Sequence, residues 1–191
     1  MTTKDFNLYK KMMGSAKYIQ AKIKGFKPEV GLILGSGLGG IIDEMVVKHR
    51  IKYSKIPNLP RTKNVKGHKG EFIFGKINGK DVMVMAGRFH AYQGFSLQDI
   101  TLPIRVMAKL GVRSLIITNA AGGLNRNFKV GDLMIIKDHV NAIGSTPLVG
   151  VHDERLGSQF QPMTNAYDKD FIRKIKITAR KQKIKLKEGV Y

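Results

Sequence analysis

Three short segments of this chain carry residue types that hold anions. The first is Gly35-Ser-Gly-Leu-Gly-Gly40, which follows the apolar run Val30-Gly-Leu-Ile-Leu34. Backbone N–H groups at a glycine turn, and at the start of the helix it opens, point outward and attract negative charge. Ser36 adds a hydroxyl donor. Gly35, Gly37 and Gly40 also fit the dinucleotide-binding spacing, which calls for an acidic residue about twenty positions further on to hold a ribose hydroxyl. From Met45 to Gly70 there is no Asp or Glu. A phosphate site survives that test, and a nicotinamide dinucleotide site is disfavoured. Taken alone, the same run also fits a plain strand-to-helix turn.

The second segment is Gly87-Arg-Phe-His-Ala-Tyr-Gln-Gly94. Arg88 offers a planar fork matched to two phosphate oxygens. In an extended segment His90 and Tyr92 would project to the same side as Arg88. Tyr92 would bring a hydroxyl beside an apolar ring, suited to a sugar. The bland alternative is a solvated loop with a hydrogen-bonded histidine. The third segment, Thr118-Asn-Ala-Ala-Gly-Gly123, has small residues where a strand should end. They permit a ligand to approach the backbone, and they equally permit tight helix packing. In open α/β sheets ligands collect at the carboxyl ends of strands, so the turns after Leu34 and Thr118 are expected to face one another. His68, inside Lys66-Gly-His-Lys-Gly70, sits in a basic loop from which it would reach a bound anion or remain idle in solvent.

The elements that must place these residues are legible from period and punctuation. Apolar residues at Phe6, Tyr9, Met12, Met13, Ala16 and Ile19 predict a helix from about Asp5 to Ile23, within an N-terminal segment 1–25. Val30–Leu34 predicts a buried strand. Pro57 and Pro60 place a loop in the middle of the basic stretch 45–70. Glu71–Ile77, then Asn78-Gly79, then Lys80–Met85 predicts a hairpin, because Asn-Gly supplies the two positive-φ residues of a type I′ turn. Ser96-Leu-Gln-Asp99 resembles a capping box opening a helix toward Leu110, with Pro103 predicting a kink or a late start. Ser114–Thr118 reads as another buried strand and Asp132–Ile136 as a further one. A long loop follows from Asn141 to Ala166, and then a basic amphipathic helix through Phe171, Ile172, Ile175 and Ala179. Strands alternating with helices, plus one hairpin, predict a single α/β domain over 1–191 with a mixed sheet.

Composition narrows the chemistry. The 42% hydrophobic content supplies material for a core and rules out a typical disordered chain. Cysteine is absent, which removes disulfides, thiolate metal sites and a cysteine nucleophile. The five histidines are scattered, and His139 and His152 lack ligand spacing, so no metal is expected. Lys and Arg number 34 against 14 Asp and Glu, a formal charge of +20 that points to an anionic partner. A basic nucleic-acid-binding module is the alternative. The basic stretches lack the interleaved aromatics that such a module stacks on bases, so nucleic acid is not expected. Neither a signal peptide nor a membrane-length apolar run is present, which predicts a cytoplasmic protein with no membrane partner.

Together the three segments are more specific than any one of them. Leu34-Gly-Ser-Gly-Leu-Gly-Gly40, Gly87–Gly94 and Thr118-Asn-Ala-Ala-Gly-Gly-Leu124 stand in the order and spacing of the trimeric purine nucleoside phosphorylases. Ile56-Pro-Asn-Leu-Pro60, Gly67-His68, Val130-Gly-Asp132, Asp138-His-Val-Asn141 and Asp153-Glu-Arg155 also resemble that family. The similarity runs from Tyr18 to Tyr191. It implies a central sheet that is mixed and partly barrel-like, flanked by helices. It also implies phosphorolysis of purine ribonucleosides of the inosine and guanosine type, with inorganic phosphate as co-substrate and no cofactor. By the same resemblance Ser36, His68, Arg88, His90 and the backbone of Ala120 hold phosphate, and His90 is the catalytic position. Tyr92 and Asn119 belong to the substrate side. Phe160 resembles an aromatic lent to a neighbouring subunit's sugar site, which implies a homotrimer.

Three departures stand out. Gln93 occupies a place where the family usually carries a glutamate beside the phosphate-binding histidine, and a neutral amide shares no proton. The loop from Ala142 to His152 is shortened. The family also continues past the position of Tyr191 and supplies its purine-gripping residues there, so a fragment, a truncated gene model or a degenerate copy is expected, with altered or absent activity.

Overall fold

The computed structural model describes residues 3–35, 37–61, 70–151, 153–158 and 160–191. Contacts divide the chain into two compact units, Met1–Ala120 with Pro147–Gln159, and Ala121–Thr146 with Phe160–Tyr191.

The first unit is built on a five-stranded sheet. Its strands are β1 (Val30–Ile33), β2 (Val46–Lys52), β3 (Glu71–Ile77), β4 (Lys80–Ala86) and β5 (Ser114–Ile117), in the order β2-β3-β4-β1-β5. β2, β3 and β4 are antiparallel neighbours, while β1 lies parallel to both β4 and β5. The sheet is therefore mixed, as expected. It is open, with β2 and β5 at its edges, and the partly barrel-like closure is corrected. The β3–β4 hairpin turns at Asn78 and Gly79, whose φ angles of 47° and 79° are those a type I′ turn needs.

Two helices cover one face, α1 (Thr3–Ile23) and α2 (Leu97–Lys109). α1 buries Met12, Ala16, Ile19 and Ile23 at helical spacing against α2 and the sheet. α2 starts at Leu97, where the Ser96 hydroxyl accepts from Asp99 N–H at 3.1 Å. The cap wins over Pro103, which lies inside the helix and is buried. Along β3 and β4 the side chains alternate between two cores. Phe72, Phe74, Met83 and Met85 meet the helices, and Ile73, Val82, Val84 and Ala86 pack on the other face with Leu34 and Met45. Burial on both faces is why these strands read as nearly continuous apolar runs.

Two strands differ from expectation. β2 falls in the basic stretch, where the sequence pattern predicts none. It is an edge strand whose exposed positions carry Lys48, Arg50 and Lys52, so charge that protects the edge conceals the strand pattern. β5 is expected to be buried, yet Leu115, Ile116 and Ile117 are 38%, 36% and 57% exposed. Its inner side pairs with β1, and no described strand pairs with its outer side.

The second unit pairs β6 (Leu133–Asp138) in parallel with β7 (Leu186–Val190), connected through α3 (Lys169–Lys181). Asp168 caps α3 by accepting from Phe171 N–H at 2.8 Å, and Lys176 pairs with Glu188 on β7 at 2.7 Å. Among the described residues between Asn141 and Ala166, the expected loop holds one short 3-10 turn, Glu154–Leu156. No helix among the described residues is long and apolar enough to cross a membrane.

Candidate functional site

β4, β1 and β5 lie side by side and run the same way, with Met85, Ile33 and Ile117 in register. Their carboxyl ends therefore release three loops along one edge of the sheet. These are the three segments that the sequence singled out: the glycine turn after β1, Gly87–Gly94 after β4, and Thr118–Ala120 after β5.

Hydrogen bonds tie the loops together at Thr118. Its hydroxyl accepts from Gly35 N–H at 2.8 Å and donates to the Ile33 carbonyl at 3.0 Å. Its N–H donates to the same Ile33 carbonyl. Its carbonyl accepts from Arg88 Nη1 at 2.9 Å. The glycine turn and the Arg88 segment thus meet through one threonine. The fit leaves no room for a side chain at Gly35: a Cβ there would lie 2.7 Å from the Thr118 carbonyl oxygen and 2.8 Å from Asn119 Cα. Arg88 is half-buried and makes no ion pair with any described carboxylate. A guanidinium steadied by a carbonyl, with further N–H donors in reserve, is suited to a tetrahedral oxyanion.

The Arg88 segment is anchored from below. Tyr53 donates its hydroxyl proton to the Gly87 carbonyl at 2.8 Å. Burial, reinforced by the negative charge of Glu71, pushes the Tyr53 hydroxyl well above its ordinary pKa, so it stays a donor. Phe89 is buried, with its ring 5.2 Å from Tyr53 and 5.6 Å from Phe95. Sinking Phe89 into the core leaves Arg88 and His90 on the side away from it. The extended course ends there. Ala91–Gln93 is a 3-10 turn, so the expected row of Arg88, His90 and Tyr92 is broken after His90. The turn nonetheless brings the His90 and Tyr92 rings into a stack, 4.8 Å apart and 17° from parallel. Tyr92 is 81% exposed, open to a second partner.

The structure thus gathers the glycine turn, Arg88, Asn119 and Ala120 at one rim, with His90 and Tyr92 following Arg88 directly. Ser36 and His68 lie outside the described residues. Phe160 belongs to the second unit and is exposed. Sequence reasoning missed Thr118 and Tyr53 as positioning groups. Thr118 carried a signal, since it is the first polar residue after the run Leu115-Ile-Ile117, whereas Tyr53 carried none.

A model of the phosphorylase superfamily matches residues 29–191. The chain belongs to the phosphorylase superfamily. Within it, this superfamily member is 46% identical over 177 residues to purine nucleoside phosphorylase 1 of Geobacillus stearothermophilus, covering 93% of the chain and 64% of that protein. It is 47% identical over 172 residues to the purine nucleoside phosphorylase of Mus musculus, covering 87% of the chain and 59% of that protein. Among solved structures, isoform 2 of the Schistosoma mansoni enzyme, in complex with cytosine and ribose-1-phosphate, superposes with a TM-score of 0.89 at 41% identity. That match covers 96% of the chain and 65% of the solved one. The resemblance carried by the three segments is borne out. The chain spans about three-fifths of the length of the curated relatives it matches.

Proposed function

We propose that this chain supplies the phosphate and ribose side of a purine nucleoside phosphorylase. The observation that carries the proposal is the meeting of Gly35, Arg88 and Thr118 at one rim. Backbone N–H groups and a guanidinium there would hold inorganic phosphate, with Ser36, His68, His90 and the Ala120 backbone as the further anion contacts. Tyr92 and Asn119 would face the ribose. A phosphate oxygen attacks the anomeric carbon as the bond to the purine nitrogen breaks. The purine leaves with the bonding pair, and ribose 1-phosphate remains. The sugar passes through a positively charged, oxocarbenium-like state. A held phosphate dianion stabilises that charge before it forms the new bond, so positioning and electrostatics supply the acceleration. This chemistry needs no metal or organic cofactor.

The relatives' shared name, and the ribose-1-phosphate bound by the Schistosoma mansoni protein, support this reading. Phe160 is read as reaching a neighbouring subunit's sugar site in a homotrimer, and the cysteine-free composition supports a reducing, cytoplasmic setting. The test is a phosphorolysis assay with inosine on the purified chain, beside a form extended by the downstream reading frame, together with thermal unfolding across phosphate concentration. Phosphate should raise the melting temperature by mass action, and Arg88→Ala should abolish the rise. Protection that persists in Arg88→Ala would refute the site.

A further inference from the structure

The amino ends of β1, β4 and β5 hold a second opening. The strands begin at Val30, Lys80 and Ser114, and there, between the carboxyl ends of α1 and α2, lies a cavity of about 1000 Å³. All three strands run away from it toward the rim that carries Arg88, so the two places sit at opposite ends of the same strands. Left-handed residues turn the chain sharply out of each helix. After α1 these are Lys24 and Gly25, with φ of 47° and 84°, and after α2 it is Gly111, with φ of 110°. Ile23, Pro28 and Leu110 are buried and give the cavity an apolar lining.

The mouth is cationic. Lys27, Lys80, Lys109 and Arg113 come from four different segments and are exposed, against Glu29 as the lining's one carboxylate. Backbone bonds gather three of these cations around Glu29. Its N–H donates to the carbonyl of Asp81, beside Lys80, at 3.0 Å, and its own carbonyl accepts from Arg113 N–H at 3.0 Å. Lys27 stands two residues earlier. None of the four cationic side chains pairs with a described carboxylate, and the Asp81 carboxylate is taken by Lys76. Lys109, in the last turn of α2, offsets the negative end of the helix dipole. Lys27, Lys80 and Arg113 lie outside any helix and have no such use. A cleft lined by one sign of charge over low-dielectric walls concentrates counter-ions.

We propose that this cavity is a second anion site, separate from the Arg88 rim, for a small organic polyphosphate. The arginine fork and the lysine ammonium groups take the phosphates, and the apolar lining takes the organic body, for which the volume is ample. The site stands whether or not the rim holds phosphate.

A chain of charge +20 attracts any polyanion, so the variants compared must share one net charge. ATP without magnesium is titrated calorimetrically onto the full chain at about 0.15 M ionic strength. Lys80→Ala with Arg113→Ala should weaken binding about tenfold, the loss expected for two charge-assisted contacts. Lys174→Ala with Lys181→Ala removes the same charge from exposed positions on α3 and should leave binding within about twofold. Arg88→Ala should leave ATP binding unchanged. Tripolyphosphate, which lacks the organic body, should bind more weakly than ATP. Equal losses in the two double variants would reduce the effect to general attraction and overturn the site. ATP binding abolished by Arg88→Ala, or absent from the wild type, would overturn it as well, and tripolyphosphate binding as tightly as ATP would overturn the role of the apolar lining. A wild type that binds ATP in the expected way but ignores inorganic phosphate would refute the reading of the Arg88 rim alone.

Discussion

β4 and β5 are matched neighbours of β1. Each pairs with it in parallel over the same four residues, and each ends in a loop of the candidate site. Their surroundings differ. Val82, Met83, Val84 and Met85 are at most 3% exposed, whereas Ile117 of β5 is 57% exposed. Both strands are apolar runs, so hydrophobicity alone does not separate them. What separates them is cover. β4 is sandwiched between the helix-side core and the core built on Leu34 and Met45, and β5 is an edge strand. A continuous apolar run states what a strand can tolerate burying; the neighbours decide what it does bury.

The contrast is broken most severely by charge. Val84→Asp should leave the chain unfolded at 25 °C, because an unpaired buried carboxylate costs several kcal/mol out of a total of ~5–15 kcal/mol for a typical domain. Ile117→Asp should cost about 1 kcal/mol or less. Urea titration of the two variants checks this, and equal losses would erase the distinction between the strands. Gly35→Ala tests the junction between β1 and β5. A Cβ pressed against Thr118 and Asn119 should cost about 1–3 kcal/mol and reduce phosphate protection by parting the rim, read by thermal unfolding with and without phosphate. Tyr53→Phe tests the underside of the β4 loop. Loss of its bond to Gly87 should cost about 1 kcal/mol. Because folding raises the Tyr53 pKa, its contribution is whole below the unfolded value of about 10 and fades as pH climbs through the folded one. Tyr53→Phe should therefore flatten the alkaline fall of the urea midpoint.

Much of the scaffold was legible from local chemistry. Asn78-Gly79 announced the hairpin, Ser96 and Asp99 announced the start of α2, and the glycine and small-residue turns marked the ends of β1 and β5. Features decided by distant neighbours were not. β2 was hidden because lysines and arginine protect an exposed edge. The exposure of β5 depends on what lies beside it. In the site, the glycine turn and the residue type of Arg88 pointed to an anion. That Thr118 would bond three loop ends at once is a property of the register between β1 and β5, which no local pattern records. The broken row after His90 has the opposite lesson: spacing placed three side chains on one extended face, and the turn at Ala91–Gln93 kept the His90–Tyr92 association by a different geometry.

The central position of β1 bears on how the chain acquires its fold. The β3–β4 hairpin closes between adjacent segments and should form early. β1 must insert between partners about fifty and about eighty residues downstream, a pairing of high sequence separation that delays assembly. The rim needs all three strand ends at once, so the oxyanion binding proposed for it should emerge only with the last kinetic step, making phosphate affinity a sensitive reporter of complete folding.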